Sequence, residues 1–262
     1  LCGMNGRYIE MDYQETLMYG DVMAMAKKKL NDFTLDIAIG GSINDKVVNS
    51  TRIDSKNASL KFANVFNLAN IVMSSSASID QKIDAHYQLQ SVFATAQAGY
   101  KEGIFLDLTA RNDWSSTLAY TKYEKKGFFY PSIGVSFLPD KWVKMPEWVS
   151  FSKLRGAYSI VGNGVPPFIT YPVSYVTAGG GMLASDAAPF AEMKPEMTHS
   201  VELGMEWKFL QHRLGLNLTY YRTNTYEQFF KLPALAGDKY AYRYVNAGDI
   251  QNQGWEITLD AT

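Results

Sequence analysis

Thr198-His199-Ser200-Val201-Glu202-Leu203-Gly204-Met205-Glu206-Trp207-Lys208-Phe209 carries the strongest periodic signal in the chain. From Thr198 onward the even positions are polar or small, and from Val201 onward the odd positions are apolar. Successive side chains on a strand point to opposite faces, so this run predicts a strand with one wet and one greasy side. After a break at Gln211-His212 the alternation resumes, with Leu214, Leu216, Leu218 and Tyr220 opposed to Gly215, Asn217, Thr219 and Tyr221. Two such runs across a short break predict a hairpin.

The same pattern recurs upstream. Val92, Ala94, Ala96, Ala98 and Tyr100 oppose Phe93, Thr95, Gln97 and Gly99; Lys101-Glu102-Gly103 supplies a turn, and Ile104, Leu106, Leu108 and Ala110 then oppose Phe105, Asp107, Thr109 and Arg111. Phe129, Ile133, Val135 and Phe137 oppose Ser132, Gly134 and Ser136, while Leu154, Tyr158 and Ile160 oppose Lys153, Arg155 and Ser159. Weaker runs cover Asp32 to Ile39, Tyr240 to Ile250 and Trp255 to Leu259, for nine or ten strands in all. Met11, Met18, Met23 and Met25 with Lys27 to Lys29 fit a short amphipathic helix, a loop or an irregular strand equally well.

Connections alternate in length. Short breaks are expected at Lys101 to Gly103, Gln211-His212 and Gln251 to Gly254. Long polar or Gly/Pro-rich stretches cover Asn112 to Gly127, Gly162 to Met197 and Thr223 to Lys239. Outer-membrane β-barrels have this asymmetry, with short periplasmic turns and long outside loops. Pro139 to Trp148 is a longer turn on the short side, where Trp142, Trp148 and Trp207 suit an interfacial girdle. A soluble sandwich shows the same period, but its strands are commonly about five or six residues, whereas tilted membrane-spanning strands need about 9 to 11.

Composition narrows the classes. Aromatic residues make up 14% of the chain, with 17 Tyr, 14 Phe and 5 Trp, which is high for a soluble domain and natural for two aromatic belts. Basic and acidic residues balance at 25 against 26, so no field attracts a nucleic acid. The lone Cys2 rules out an internal disulfide framework. No apolar run reaches about 18 residues, so a membrane role falls to strands. The opening Leu1-Cys2-Gly3 lacks a preceding signal, and Trp255 to Thr262 stops inside a strand pattern; both ends are expected to be cut.

Catalytic chemistry finds little support. His86, His199 and His212 match no metal-ligand spacing, and neither a G-x-S-x-G elbow nor a phosphate loop is present. Gly179-Gly180-Gly181 reads as flexible loop. No cofactor is expected. The suggestive constellation is Asp107, Arg111, Lys153, Arg155, Glu202, Glu206, Asn217 and Tyr221, which in a closed barrel would line the lumen and bind a solute or a plug through charge-assisted hydrogen bonds. The alternative is an ordinary solvated sheet face. Trp114, Phe168, Tyr171 and Tyr175 are expected in long outside loops, where planar rings stack on a sugar or peptide, or simply pack the loop.

Local motifs then converge on one family. Ser91-Val92-Phe93, Gly99-Tyr100-Lys101 and Leu108-Thr109-Ala110-Arg111-Asn112-Asp113-Trp114-Ser115-Ser116-Thr117-Leu118 open the series. Phe129-Tyr130-Pro131-Ser132, Lys153-Leu154-Arg155-Gly156 with Val161-Gly162-Asn163, and Met193-Lys194-Pro195-Glu196-Met197-Thr198 ahead of Glu202-Leu203-Gly204 follow in order. Asn246-Ala247-Gly248-Asp249-Ile250-Gln251-Asn252-Gln253-Gly254-Trp255-Glu256 closes it. The series resembles the barrel of SusC/RagA-type TonB-dependent transporters. That resemblance implies residues 1–262 as part of a 22-stranded antiparallel transmembrane β-barrel in a Gram-negative outer membrane, with plug domain, TonB box and C-terminal strands outside this sequence. It implies active import of oligosaccharides or peptides, a SusD-like surface lipoprotein and the TonB complex as partners, and contact with outer-membrane lipid. The competing reading is a soluble or surface-anchored all-β glycan-binding module.

Overall fold

The computed structural model describes residues 3–72, 78–176 and 181–262; Cys2, Gly179 and Gly180 lie outside them, as does the Tyr175 side chain. In chain order the strands are β1 (Ile9–Leu30), β2 (Phe33–Asp54), β3 (Ser78–Tyr100), β4 (Ile104–Ser115), β5 (Phe128–Phe137), β6 (Val149–Asn163), β7 (Tyr175–Val176), β8 (Met182–Leu183), β9 (Glu196–Phe209), β10 (Leu214–Tyr226), β11 (Phe229–Pro233), β12 (Tyr242–Asn246) and β13 (Asp249–Ala261). Nine of them form one sheet in the order β1-β2-β3-β4-β5-β6-β9-β10-β13, every neighbour antiparallel. β7/β8 and β11/β12 are small hairpins within loops.

Connection lengths sort by edge. Residues 31–32, 101–103, 138–148 and 210–213 turn at one edge; 55–77, 116–127, 164–195 and 227–248 cross at the other. The tight turns carry left-handed backbone at Asn31, at Lys101-Glu102 and at Leu210-Gln211-His212. For non-glycine residues this costs about 1 kcal/mol apiece, a cost the closed strand pair absorbs.

Three expectations change. The Met11 to Lys29 region is neither helix nor irregular strand but β1, paired without interruption from Ile9↔Asp54 to Leu30↔Phe33. Tyr240 to Ile250 is not one strand: Tyr242–Asn246 pairs with β11 in the loop, Gly248 takes a φ of +93° that breaks the run, and Asp249 starts β13. Gln251 to Gly254 is therefore no turn; it lies within β13, opposite Asn224 to Tyr221.

The sheet buries almost none of its apolar side chains. Val92, Phe129 and Leu203, on inner strands, are 53%, 56% and 56% exposed. Among the described residues the buried apolar clusters are Ala58, Leu60 and Ile71, and Leu118, Val165 and Met193, all in the long loops. A wide apolar sheet face covered by no protein is a surface built for another apolar phase. Strands satisfy every backbone group in that phase only when the sheet closes.

Candidate functional site

Directly paired residues share a face, so the registers sort the whole sheet. Arg155, Gly204 and Thr219 form one row across β6, β9 and β10, and Lys153, Glu206 and Asn217 form another. Tyr221 pairs with Glu202, which pairs with Ala157, Gly134 and Asp107 in turn; Arg111 pairs with Tyr130. Asp107, Arg111, Lys153, Arg155, Glu202, Glu206, Asn217 and Tyr221 thus all stand on one face. The opposite face carries Val201, Leu203, Met205, Trp207 and Phe209 beside Leu214, Leu216, Leu218 and Tyr220.

The polar face is cross-linked. Gln97 Nε2 donates to Asp107 Oδ1 at 2.6 Å; Arg111 donates from Nε to Asp113 Oδ1 and from Nη2 to Ser91 Oγ, both at 2.7 Å. Arg155 Nη2 donates to Thr219 Oγ1 at 2.6 Å and its Nε to Glu202 Oε1 at 3.4 Å. Gly204 makes this reach possible, because a Cβ there would lie 2.6 Å from Arg155 Nε. Glu206 pairs with Lys208 at 3.3 Å, and Asn217 Oδ1 is buried without a hydrogen-bond partner among the described residues. Charge-assisted bonds fix the headings of these side chains. Exposed pairs such as Arg155–Glu202 add little stability.

On the apolar face, rings gather near the short-turn edge. Phe33 and Tyr100 lie 4.5 Å apart, Tyr100 and Trp142 5.5 Å, and Trp148 and Phe209 5.5 Å. Tyr158 stands ten residues above Trp148, about 33 Å along a strand and about 25 Å in height at a typical tilt, the thickness of an outer-membrane apolar band. There its hydroxyl meets His199 Nδ1 at 2.8 Å.

The loop aromatics do not converge. Trp114 is no loop residue: it is the penultimate residue of β4, on the apolar face opposite Gln90. Phe168 sits in the loop with a left-handed φ of +64°, and Tyr171, 54% exposed, leans on Tyr120 at 4.9 Å. Tyr175 opens β7.

Sequence reasoning missed a knot at the loop roots. Asn246 Oδ1 accepts from Lys194 N at 2.9 Å, while its Nδ2 donates to Lys194 O at 3.0 Å and to Glu227 O at 2.6 Å. Lys194 Nζ bonds Glu227 at 2.7 Å, which holds the lysine above its ordinary pKa. Asn163 Nδ2 donates to Glu196 Oε2 at 3.2 Å, and Met193 is fully buried against Leu118 and Val165. Four of the quoted motif blocks meet here; their separate spacings gave no sign of it.

Comparison with known proteins agrees with this architecture. Residues 8–262 match the family model "TonB dependent receptor-like, beta-barrel". TonB-dependent receptors P3 and P26 of Formosa agariphila are 26% identical over 184 residues and 27% over 186, spanning 66% and 67% of this chain but 18% of each relative. The RagAB peptide transporter superposes with a TM-score of 0.80 at 17% identity, over 97% of this chain and 28% of that one. The P. aeruginosa receptor FpvA bound to heterologous pyoverdines gives 0.56 at 11%, over 97% and 31%. The chain thus spans about a fifth of the length of its curated relatives. With a matching family model over nearly its whole length and an uncovered apolar sheet face, the chain belongs to the TonB-dependent receptor β-barrel family, a non-enzymatic class of outer-membrane transporters and receptors.

Proposed function

We propose that this chain is a length of wall in an energised importer, one that takes oligosaccharides or peptides across the outer membrane. The observation that carries the reading is the division of the sheet into an uncovered apolar face and a cross-linked polar face. The apolar side meets lipid. The polar side, with Asp107, Arg111, Lys153, Arg155, Glu202, Glu206, Asn217 and Tyr221, faces the lumen. A barrel wide enough for such cargo needs a plug. The TonB complex would move the plug through segments outside these residues. A SusD-like lipoprotein would close over the knotted loops, and Phe168, Tyr171 and Tyr175 remain candidates for substrate contact, whereas Trp114, on the apolar face, leaves that set. RagAB, a structural neighbour, is a peptide transporter, and it favours the peptide arm of the proposal.

The test is uptake of fluorescent oligopeptides and oligosaccharides by cells carrying the parent protein, with and without a protonophore. Uptake that needs both the parent protein and the inner-membrane gradient is expected. Uptake indifferent to either one defeats the reading.

A further inference from the structure

The apolar face changes chemistry two residues beyond the Tyr220–Trp255 pair, whose rings lie 4.9 Å apart. Arg222 pairs in register with Gln253, and Asn224 with Gln251, all on the side that bears Leu216, Leu218 and Ile257. Two residues are about 7 Å of strand, which sets this patch in the headgroup layer just outside the tails.

Its polar groups are wired to one another. Arg222 donates from Nε to Asn224 Oδ1 at 3.2 Å and from Nη2 to Gln251 Oε1 at 2.9 Å. Gln251 Nε2 donates to Gln253 Oε1 at 3.1 Å, and the Tyr220 hydroxyl to the same oxygen at 3.4 Å. All three amide oxygens are thereby occupied. Among the described residues, the Arg222 Nη1 hydrogens and its second Nη2 hydrogen have no partner beyond these contacts. Asp249, paired with Tyr226 two residues further out, accepts from Asn224 Nδ2 at 3.4 Å.

A guanidinium backed by amide oxygens that already accept, with donors left over, matches a phosphate oxyanion. We infer that Arg222, Gln251 and Gln253 form a seat on the outer wall of the barrel for the phosphate group of an outer-leaflet glycolipid. The seat rests on the reading of the apolar face as the lipid face, and not on import. It fixes the barrel's height in the outer leaflet, on the side opposite any cargo.

Native mass spectrometry of the full-length parent protein in detergent tests this, with bisphosphorylated lipid A, the same lipid stripped of phosphate, and phosphatidylglycerol as probes. Bisphosphorylated lipid A is expected to bind about tenfold tighter than either other probe, about one charge-assisted hydrogen bond's worth. Arg222→Gln should bring it to the level of the phosphate-free form, with Arg222→Lys between. Equal affinity for lipid A with and without phosphate overturns the seat, and so does an unchanged Arg222→Gln variant. Phosphatidylglycerol binding as tightly also overturns it, since the glycolipid is then not what is recognised. Should the variants fail to assemble, the three-probe comparison on the unaltered protein decides alone. Loss of the seat with gradient-dependent uptake intact leaves the importer standing.

Discussion

Asn246 holds Lys194 by both of its backbone polar groups, accepting from its N–H at 2.9 Å and donating to its C=O at 3.0 Å across 52 residues of sequence. The same carboxamide reaches Glu227 O, so one side chain ties the 164–195 connection to the 227–248 connection. Asn246→Ala leaves two carbonyls and an amide without this partner, at about 1–3 kcal/mol for each group that stays buried. Hydrogen exchange should rise across 190–195 and 227–232 while β9 and β10 stay protected; unchanged exchange at Lys194 means that the knot does not order the loops.

Leu218, paired with Met205, lies midway between the Leu214 and Arg222 rows on the apolar face. Leu218→Arg should destabilise the parent barrel in lipid vesicles by about 2–4 kcal/mol in a urea titration, the cost of a charge near the bilayer midplane. Ser200→Arg, on the other face beside Ser159 and Thr223, should cost within about 0.5 kcal/mol. Equal penalties mean that lipid does not distinguish the faces.

At the loop end of β2, Arg7 donates to Asp54 from Nε at 2.8 Å and from Nη2 at 2.7 Å, and Arg52 adds a third contact at 2.7 Å. The Arg7 guanidinium, helped by Arg52 and the Lys56 N–H, holds the carboxyl well below the usual carboxylate range despite its burial. A depressed folded value places the stabilisation above the unfolded value of about 4 and removes it as pH falls below that. The latch should therefore hold from neutrality to about pH 4 and loosen only in stronger acid. Asp54→Asn should loosen it at pH 7 by about 2–3 kcal/mol, read as faster exchange at Ser55 N, which donates to Tyr8 O. A wild-type latch already open at pH 5 contradicts the assignment.

Much of this architecture was legible where one side of a strand is consistently apolar. β9 and β10 alternate cleanly because their greasy side meets one phase throughout. β1 does not: Met23 and Met25 share the polar face with Lys27, while Lys28 shares the apolar one with Leu35, so its two sides look alike and the strand read as helix, loop or irregular strand. Gly248 breaks a run that hydropathy alone joins, and the polar neighbours of Trp114 point to a loop, although the register puts it on a strand. The candidate lumen residues were legible by parity. Their partners were not, since the Arg155 row needs the register of strands 64 residues apart.

That row permits a last test of whether the polar face is organised or merely wet. Arg155 lies across β9 to reach Thr219, and the gap it crosses is the missing side chain of Gly204: an added Cβ would meet Nε at 2.6 Å and Cζ at 2.8 Å. Arg155 is flexible, so Gly204→Ala should push it aside instead of unfolding the sheet, breaking the bond to the buried Thr219 at about 1–2 kcal/mol. Alanine otherwise suits a strand better than glycine. In an Arg155→Ala background the same Gly204→Ala change should be neutral or slightly stabilising, because nothing remains to displace. A double-mutant cycle on the folded parent barrel should give a coupling of about 1 kcal/mol or more; strict additivity means that Gly204 is not there to let the arginine pass.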